Sequence, residues 1–217
     1  MSKKLHAFFR TNFLKTMWVN FKYCGFRGLF HFPILIACGV QLRSLKGKIE
    51  LDKMKIGYLR IGYSSLGTQN EHGNHGCLQI EGTLKVHGQA KFGQGSSISI
   101  GKTGVMEVGT LFVNGNTDFI YYDHITIGND CLISWGVTIM DTDFHHIYQD
   151  GSNTNVNQPI SIGDHCWIGM RTIILKGADI PDETVIAAGS VVTKKLAQSH
   201  CVYAGNQIIK SRIDWHE

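Results

Sequence analysis

Aliphatic residues recur in the second half of this chain at every sixth position: Ile162, Ile168, Ile174, Ile180, Ile186 and Val192. Written as hexads, the stretch reads IGDHCW, IGMRTI, ILKGAD, IPDETV, IAAGSV. Ile127, Ile133 and Ile139 keep the same step, in IGNDCL, ISWGVT and IMDTDF. Upstream come Ile80, Val86, Phe92 and Ile98, then a shifted set at Ile100, Met106 and Phe112. A helix repeats at about 3.6 residues and a plain strand at about 2, so neither explains the spacing. Six residues do make one short strand and one tight corner. Three such units close a triangular coil whose inward aliphatics stack on those of the coils above and below. Repeats of this kind build parallel β-helices. The pattern predicts an all-β prism over residues 51–192.

The step from Ile139 to Ile162 is 23 residues, which is not a multiple of six. A loop is therefore expected to protrude at about 145–159, and its sequence (YQDGSNTNVNQP) is polar and turn-rich. A rigid scaffold that positions an inserted loop is a common arrangement for a functional site. Before residue 50 the repeat is absent. From Lys3 to Lys22 the apolar positions Phe8, Phe9, Phe13, Leu14, Met17, Trp18 and Phe21 fall close to helical spacing. Residues 1–50 thus read as a helical and extended segment, packed on the prism or across a subunit boundary. Residues 193–217 read as a short C-terminal tail.

Composition narrows the function. Twenty-one Lys and Arg against 17 Asp and Glu give a net charge of +4. No basic run or nucleic-acid motif accompanies this excess, which suits an anionic cofactor better than a nucleic acid. The six cysteines are scattered singly, with no Cys-x-x-Cys pair, as in a reduced cytoplasmic chain rather than a zinc ribbon or a disulfide scaffold. The most apolar stretch, Phe30 to Val40, is too short to span a bilayer, and the N-terminus lacks a signal-peptide pattern. The expectation is a cytoplasmic protein without a transmembrane segment.

At the mouth of the predicted loop stands Asp141-Thr142-Asp143-Phe144-His145-His146. Histidine titrates near neutrality and serves well as a general base. Asp141 or Asp143, or a backbone carbonyl, can fix the ring's tautomer. A His beside two Asp is also what a solvated turn contains; its place at the break in the repeat points to chemistry.

The stretch from Leu111 to Lys195 resembles the hexapeptide-repeat O-acetyltransferases, in particular the galactoside and maltose acetyltransferases and their polysaccharide-modifying relatives. The resemblance is carried by FVNGN, ITIGNDCLIS, the DTDFHH turn, PISIGDHCWIG and IAAGSVVTKK followed by YAGN. It implies a left-handed parallel β-helix, a homotrimer with active sites between subunits, and acetyl-CoA as donor with no metal required. It puts the general base at His145, with His146 the fallback because the spacing runs one residue longer. Asn114 and Asn116 match the family's acceptor-binding asparagines, although a ladder of stacked turn residues is the equal alternative. The pantetheine track matches Ala187, Ala188, Gly189 and Ser190, with Trp167, Gly169 and Thr193 nearby. Lys194, Lys195, Lys210 and Arg212 are candidates for the CoA phosphates. The family tail usually reads Gly-x-Pro-Ala, whereas here it is Gly205-Asn206-Gln207-Ile208.

The implied reaction is acetyl transfer to a sugar hydroxyl, with a surface polysaccharide or its precursor the first choice. Two alternatives share the fold. One is a sugar N-acetyltransferase. The other is a γ-class carbonic anhydrase-like zinc protein, for which His72, His75 and the other histidines are the raw material.

Overall fold

The computed structural model describes residues 10–63 and 75–216. Its strands wind into a three-faced parallel prism. The first coil consists of β1 (Ile34–Ile36), β2 (Gln41–Leu42) and β3 (Lys48–Leu51), each the end strand of a different sheet. Each of the next five coils adds one strand to every face, and all pairings between successive coils are parallel. Among the described residues the three faces hold nine, seven and six strands. The first coil starts at Ile34, earlier than the boundary near residue 51. The hexad is hard to see there because the corners are longer and the strand-flanking positions less uniformly aliphatic.

Alternation along each strand sends every second side chain inward. Leu78 and Ile80, Ile98 and Ile100, Ile125 and Ile127, and Ile160 and Ile162 are all buried. These pairs account for the shifted set in the sequence: a four-residue strand points two residues inward, and both count. Phe112 is the exception. It lies between the buried Leu111 and Val113, faces outward, and has the Lys91 ammonium 4.7 Å from its ring centroid. The coils also differ in length. Stepping along the first face from Ala90 to Leu111 takes 21 residues, from Leu111 to Cys131 takes 20, and from Trp167 to Val185 takes 18. Only the last is three hexads, and the periodicity is cleanest there.

The edge between the first and second faces is a ladder of stacked corners. Its third corner residue is left-handed in coil after coil: Gly95, Asn116, Gly136, Arg171 and Gly189, with φ between 55° and 76°. Glycine and asparagine tolerate that conformation best. Close stacking also requires small residues, since a Cβ on Gly169 would lie 2.6 Å from the Ala188 amide nitrogen and from the Ile186 carbonyl oxygen.

Among the described residues the helix α1 (Phe13–His31) closes the open end of the prism. Asn12 caps it, its side-chain oxygen accepting from the Lys15 N–H. It kinks at Gly25 and ends at Phe32, a left-handed residue whose N–H donates to the Gly28 carbonyl, directly before Pro33. Helix spacing was expected from Lys3 to Lys22; the helix runs nine residues further, and positions 1–9 lie outside the described residues. The face it buries carries polar residues. Asn20 donates to the Ile34 carbonyl (2.7 Å) and accepts from the Ile34 N–H (3.1 Å), while Thr16 accepts from the Ile36 N–H (3.1 Å). An uncovered strand edge is a template for unwanted pairing. Here two side chains of a helix occupy that edge in place of another strand.

At the other end the tail is structured. Cys201–Ala204 joins the first face in parallel, and Gln207–Ser211 returns antiparallel to it. Beyond it Trp215 stacks on His165, centroids 4.3 Å apart, with its indole N–H on the His165 carbonyl (3.0 Å).

Candidate active site

The prism is interrupted after Thr138–Met140 on the second face and resumes at Ile160–Ile162 on the third. The 141–159 segment leaves at the second–third edge and carries a small hairpin, Tyr148–Gln149 with Ser152–Asn153.

Asp141 anchors the exit. It is fully buried, and its two carboxylate oxygens accept from the Tyr122 and Asp123 N–H groups, both at 2.8 Å. Burial pushes its carboxyl above the usual carboxylate range, and the two N–H bonds work against that push. Asp141 was a candidate to orient the histidine; its side chain is instead committed to the neighbouring coil. Asp143 forms an ion pair with Lys176 at 2.7 Å, and this partner holds its carboxyl below the usual range. Lys176 also contacts the side-chain oxygen of Asn155, whose amide donates to the His145 carbonyl (2.8 Å). Lys176, Asn153 and Asn155 were not foreseen. Lys176 belongs to a different coil, so no sequence spacing ties it to the loop.

These contacts treat the two histidines differently. His145 Nδ1 lies 2.9 Å from the Asp143 backbone carbonyl, which can only accept; in the neutral ring Nδ1 therefore carries the proton and Nε2 keeps its lone pair. His146 Nδ1 lies 3.0 Å from the Asn153 side-chain nitrogen, which can only donate, so its Nδ1 lone pair is occupied and its proton sits on Nε2. Only His145 presents a free basic nitrogen. Both line a cavity of about 310 Å³ together with Tyr122, Thr142, Phe144 and Asn153. Phe144, at φ 59°, packs edge-on against Tyr122 with centroids 5.1 Å apart.

The other candidates lie elsewhere on the prism. Asn114 and Asn116 sit on the first–second edge, with Asn114 buried and Asn116 at the left-handed corner position. Trp167, Gly169 and Ala187–Ser190 share that edge. Trp167 donates its indole N–H to Ser134 (3.1 Å), and Ser190 donates to the Ala187 carbonyl (2.6 Å). Ala188 and Gly189 are exposed, and a Cβ on Gly189 would meet nothing within 4 Å. Thr193, Lys194 and Lys195 lie back on the second–third edge. There Thr193 is tied through its N–H and hydroxyl to Asn206, and Lys195 pairs with Asp179 at 2.7 Å. Lys210 lies on the closing antiparallel strand and Arg212 directly after its end. A single chain thus separates the histidine from the asparagines and the Ala187–Ser190 track by the width of one prism face.

Among the described residues no three of His, Cys, Asp and Glu come together to hold a metal ion. His75 is exposed with Nδ1 3.3 Å from the Gly39 carbonyl, and His72 lies outside the described residues.

The family model described as the hexapeptide repeat of succinyl-transferase matches residues 159–194. An uncharacterized 24.8 kDa protein in the cps region of Klebsiella pneumoniae is 28% identical over 200 residues, 91% of this chain and 87% of that one. The galactoside O-acetyltransferase of Escherichia coli K12 is 34% identical over 108 residues, 48% of this chain and 49% of the enzyme, so the chain spans about half the length of that relative. Among solved structures, the polySia specific acetyltransferase NeuO superposes with a TM-score of 0.54 at 25% identity, over 82% of this chain and 72% of its own. In its repeat and its three-faced coil the chain is similar to the left-handed parallel β-helix acetyltransferases of the hexapeptide-repeat type.

Proposed function

We propose that this protein transfers an acetyl group from acetyl-CoA to a sugar hydroxyl, with His145 Nε2 as the general base. The observation that carries the proposal is the Asp143 carbonyl on His145 Nδ1, which in the neutral ring leaves the opposite nitrogen as the base at the loop cavity. In the proposed step the acceptor hydroxyl oxygen attacks the thioester carbonyl carbon as Nε2 takes the hydroxyl proton. The tetrahedral intermediate then expels the CoA sulfur, which leaves as the thiol with the proton returned by the imidazolium. The positive charge formed on the ring is oriented by a neutral carbonyl, and the Asp143 carboxylate paired to Lys176 holds the turn that supplies that carbonyl.

The separation of the histidine and the Ala187–Ser190 track onto two edges supports an active site built between neighbouring chains in a homotrimer, one contributing the loop and the other the track. Exposed small residues at Ala188 and Gly189 suit a thin pantetheine arm lying against the backbone. The name of the NeuO structure supports a polysaccharide acceptor, and use of acetyl-CoA supports a cytoplasmic reaction.

The test is acetyl-CoA turnover by the purified protein, wild type beside His145→Ala, with mass spectrometry on a panel of sugars and oligosaccharides. Loss of a general base lowers kcat by about 10²–10⁴. Near-normal turnover in the variant refutes the mechanism. Failure of the wild type to acetylate any sugar while still hydrolysing the thioester refutes the acceptor class alone.

A further inference from the structure

The helix that seals the base of the prism turns a polar face inward and an apolar face outward. Leu14, Met17, Trp18, Phe21, Phe26 and Phe30 are all exposed, Leu14 and Phe30 at 81% and 83%. The Phe21 and Phe26 rings meet edge-on with centroids 5.3 Å apart, so the patch continues across the kink at Gly25. Contiguous apolar surface of this kind marks an interaction site.

Direction narrows the occupant. Strands of a β-helix hydrogen-bond along the prism axis, and Ile34 and Ile36 turn their free N–H and C=O groups away from the next coil. Asn20 takes both groups of Ile34, Thr16 takes the Ile36 N–H and the Asn12 N–H takes the Ile36 carbonyl, so α1 lies beneath the first coil on the axis. The opposite side of the helix therefore faces down the axis, away from the lateral faces against which a neighbouring prism would pack.

Charge narrows it further. Nine of the 21 Lys and Arg, and none of the 17 Asp and Glu, precede Glu50; the rest of the chain has 12 against 17. The protein is thus basic at its base and acidic over the prism. Within the described part Lys22, Arg27, Arg43, Lys46 and Lys48 are exposed, with Lys22 and Arg27 on α1 itself. Tyr23 donates to the Leu45 carbonyl, which brings the corner carrying Lys46 to the same end of the molecule. An aromatic and aliphatic face whose rim is mainly cationic is the signature of a helix that lies in the interface of an anionic bilayer. No helix of the described residues is long and apolar enough to cross a membrane. Two copies meeting base to base would oppose cation to cation.

We propose that the outward face of α1 and its basic rim seat the protein on an anionic lipid surface, with the prism axis roughly along the membrane normal. The test is flotation of the full-length protein with vesicles of phosphatidylcholine mixed with phosphatidylglycerol, against vesicles of phosphatidylcholine alone. Wild type should float with the anionic vesicles, weaken as salt rises, and remain in solution with the neutral ones. Leu14→Glu with Phe30→Glu should weaken binding by at least about tenfold, as should Lys22→Glu with Arg27→Glu. These positions are exposed, and an unchanged circular dichroism melt verifies the fold. Absence of wild-type binding, or undiminished binding by a folded apolar-face variant, overturns the proposal. Concentration-dependent association that is lost in Leu14→Glu/Phe30→Glu, without vesicle binding, would assign the face to a second copy instead.

Discussion

Asn20→Ala tests how the base of the prism is closed. Asn20 is fully buried and makes three hydrogen bonds: to the Thr16 carbonyl (2.7 Å), to the Ile34 carbonyl (2.7 Å) and from the Ile34 N–H (3.1 Å). The Thr16 carbonyl keeps its place in the helix ladder, so truncation orphans chiefly the two backbone groups of Ile34, itself fully buried. A buried polar group left without a partner costs about 1–3 kcal/mol, which makes about 3 kcal/mol for the pair. At about 2–4 °C per kcal/mol for a chain of this size, the melting temperature should fall by about 6–12 °C. Phe21→Ala, on the exposed side of the same helix, should change it by less than about 2 °C. Thermal melts of both variants, with hydrogen exchange read at the Ile34 and Ile36 amides, make the comparison. The Ile34 amide should exchange fastest in Asn20→Ala, while strands near Ile174 stay protected, because coils of a solenoid support only their neighbours. A melting temperature within a degree or two of wild type would show that water or a shifted helix replaces Asn20, and would refute the edge-capping account.

His146→Ala should retain turnover within about tenfold of wild type, in contrast to His145→Ala, since its basic nitrogen is already occupied by Asn153; equal losses in steady-state kinetics would erase the distinction. Ala188→Trp should raise the Kd for CoA by at least about tenfold with an unchanged melt, measured by calorimetry, because it fills the track with bulk that the packing does not forbid. Lys176→Met should lower kcat by about tenfold while leaving the KM for acetyl-CoA near wild type, as the turn that aims His145 loses its anchor. The Asp143–Lys176 contact also predicts a pH response. A carboxyl held below its unfolded value contributes stability that is complete above about pH 4 and is lost as pH falls through the lower, folded value. Proteolysis within 148–157 should therefore stay slow through mildly acidic pH and rise only below the ordinary carboxylate range. In Lys176→Met it should be fast throughout.

The hexad made the fold legible before any coordinates. Each coil of the prism contacts only the coils beside it, so the same local demand recurs every six residues and is written into the sequence as Ile162 through Val192. The loop was legible for the same reason, as the one step in the late repeat that fails to divide by six. Its histidine was legible only as a residue type; which ring nitrogen is free was decided by a backbone carbonyl and by the Asn153 amide, and neither leaves a mark in spacing. Tertiary structure alone decided which candidates share an edge, because coils of 18, 20 and 21 residues return the chain to the same corner at unequal intervals. It also brought Lys176 to Asp143 from the following coil. At the base it inverted the usual reading of an amphipathic helix. Thr16 and Asn20 look like a solvent face in sequence, yet they are buried, because a bare strand edge offers N–H and C=O groups that a helix side can satisfy only through polar side chains, the Asn12 N–H ahead of the helix taking the Ile36 carbonyl. The apolar side of α1 was consequently left facing outward, and that follows from the shape of the prism and not from the helix's own sequence.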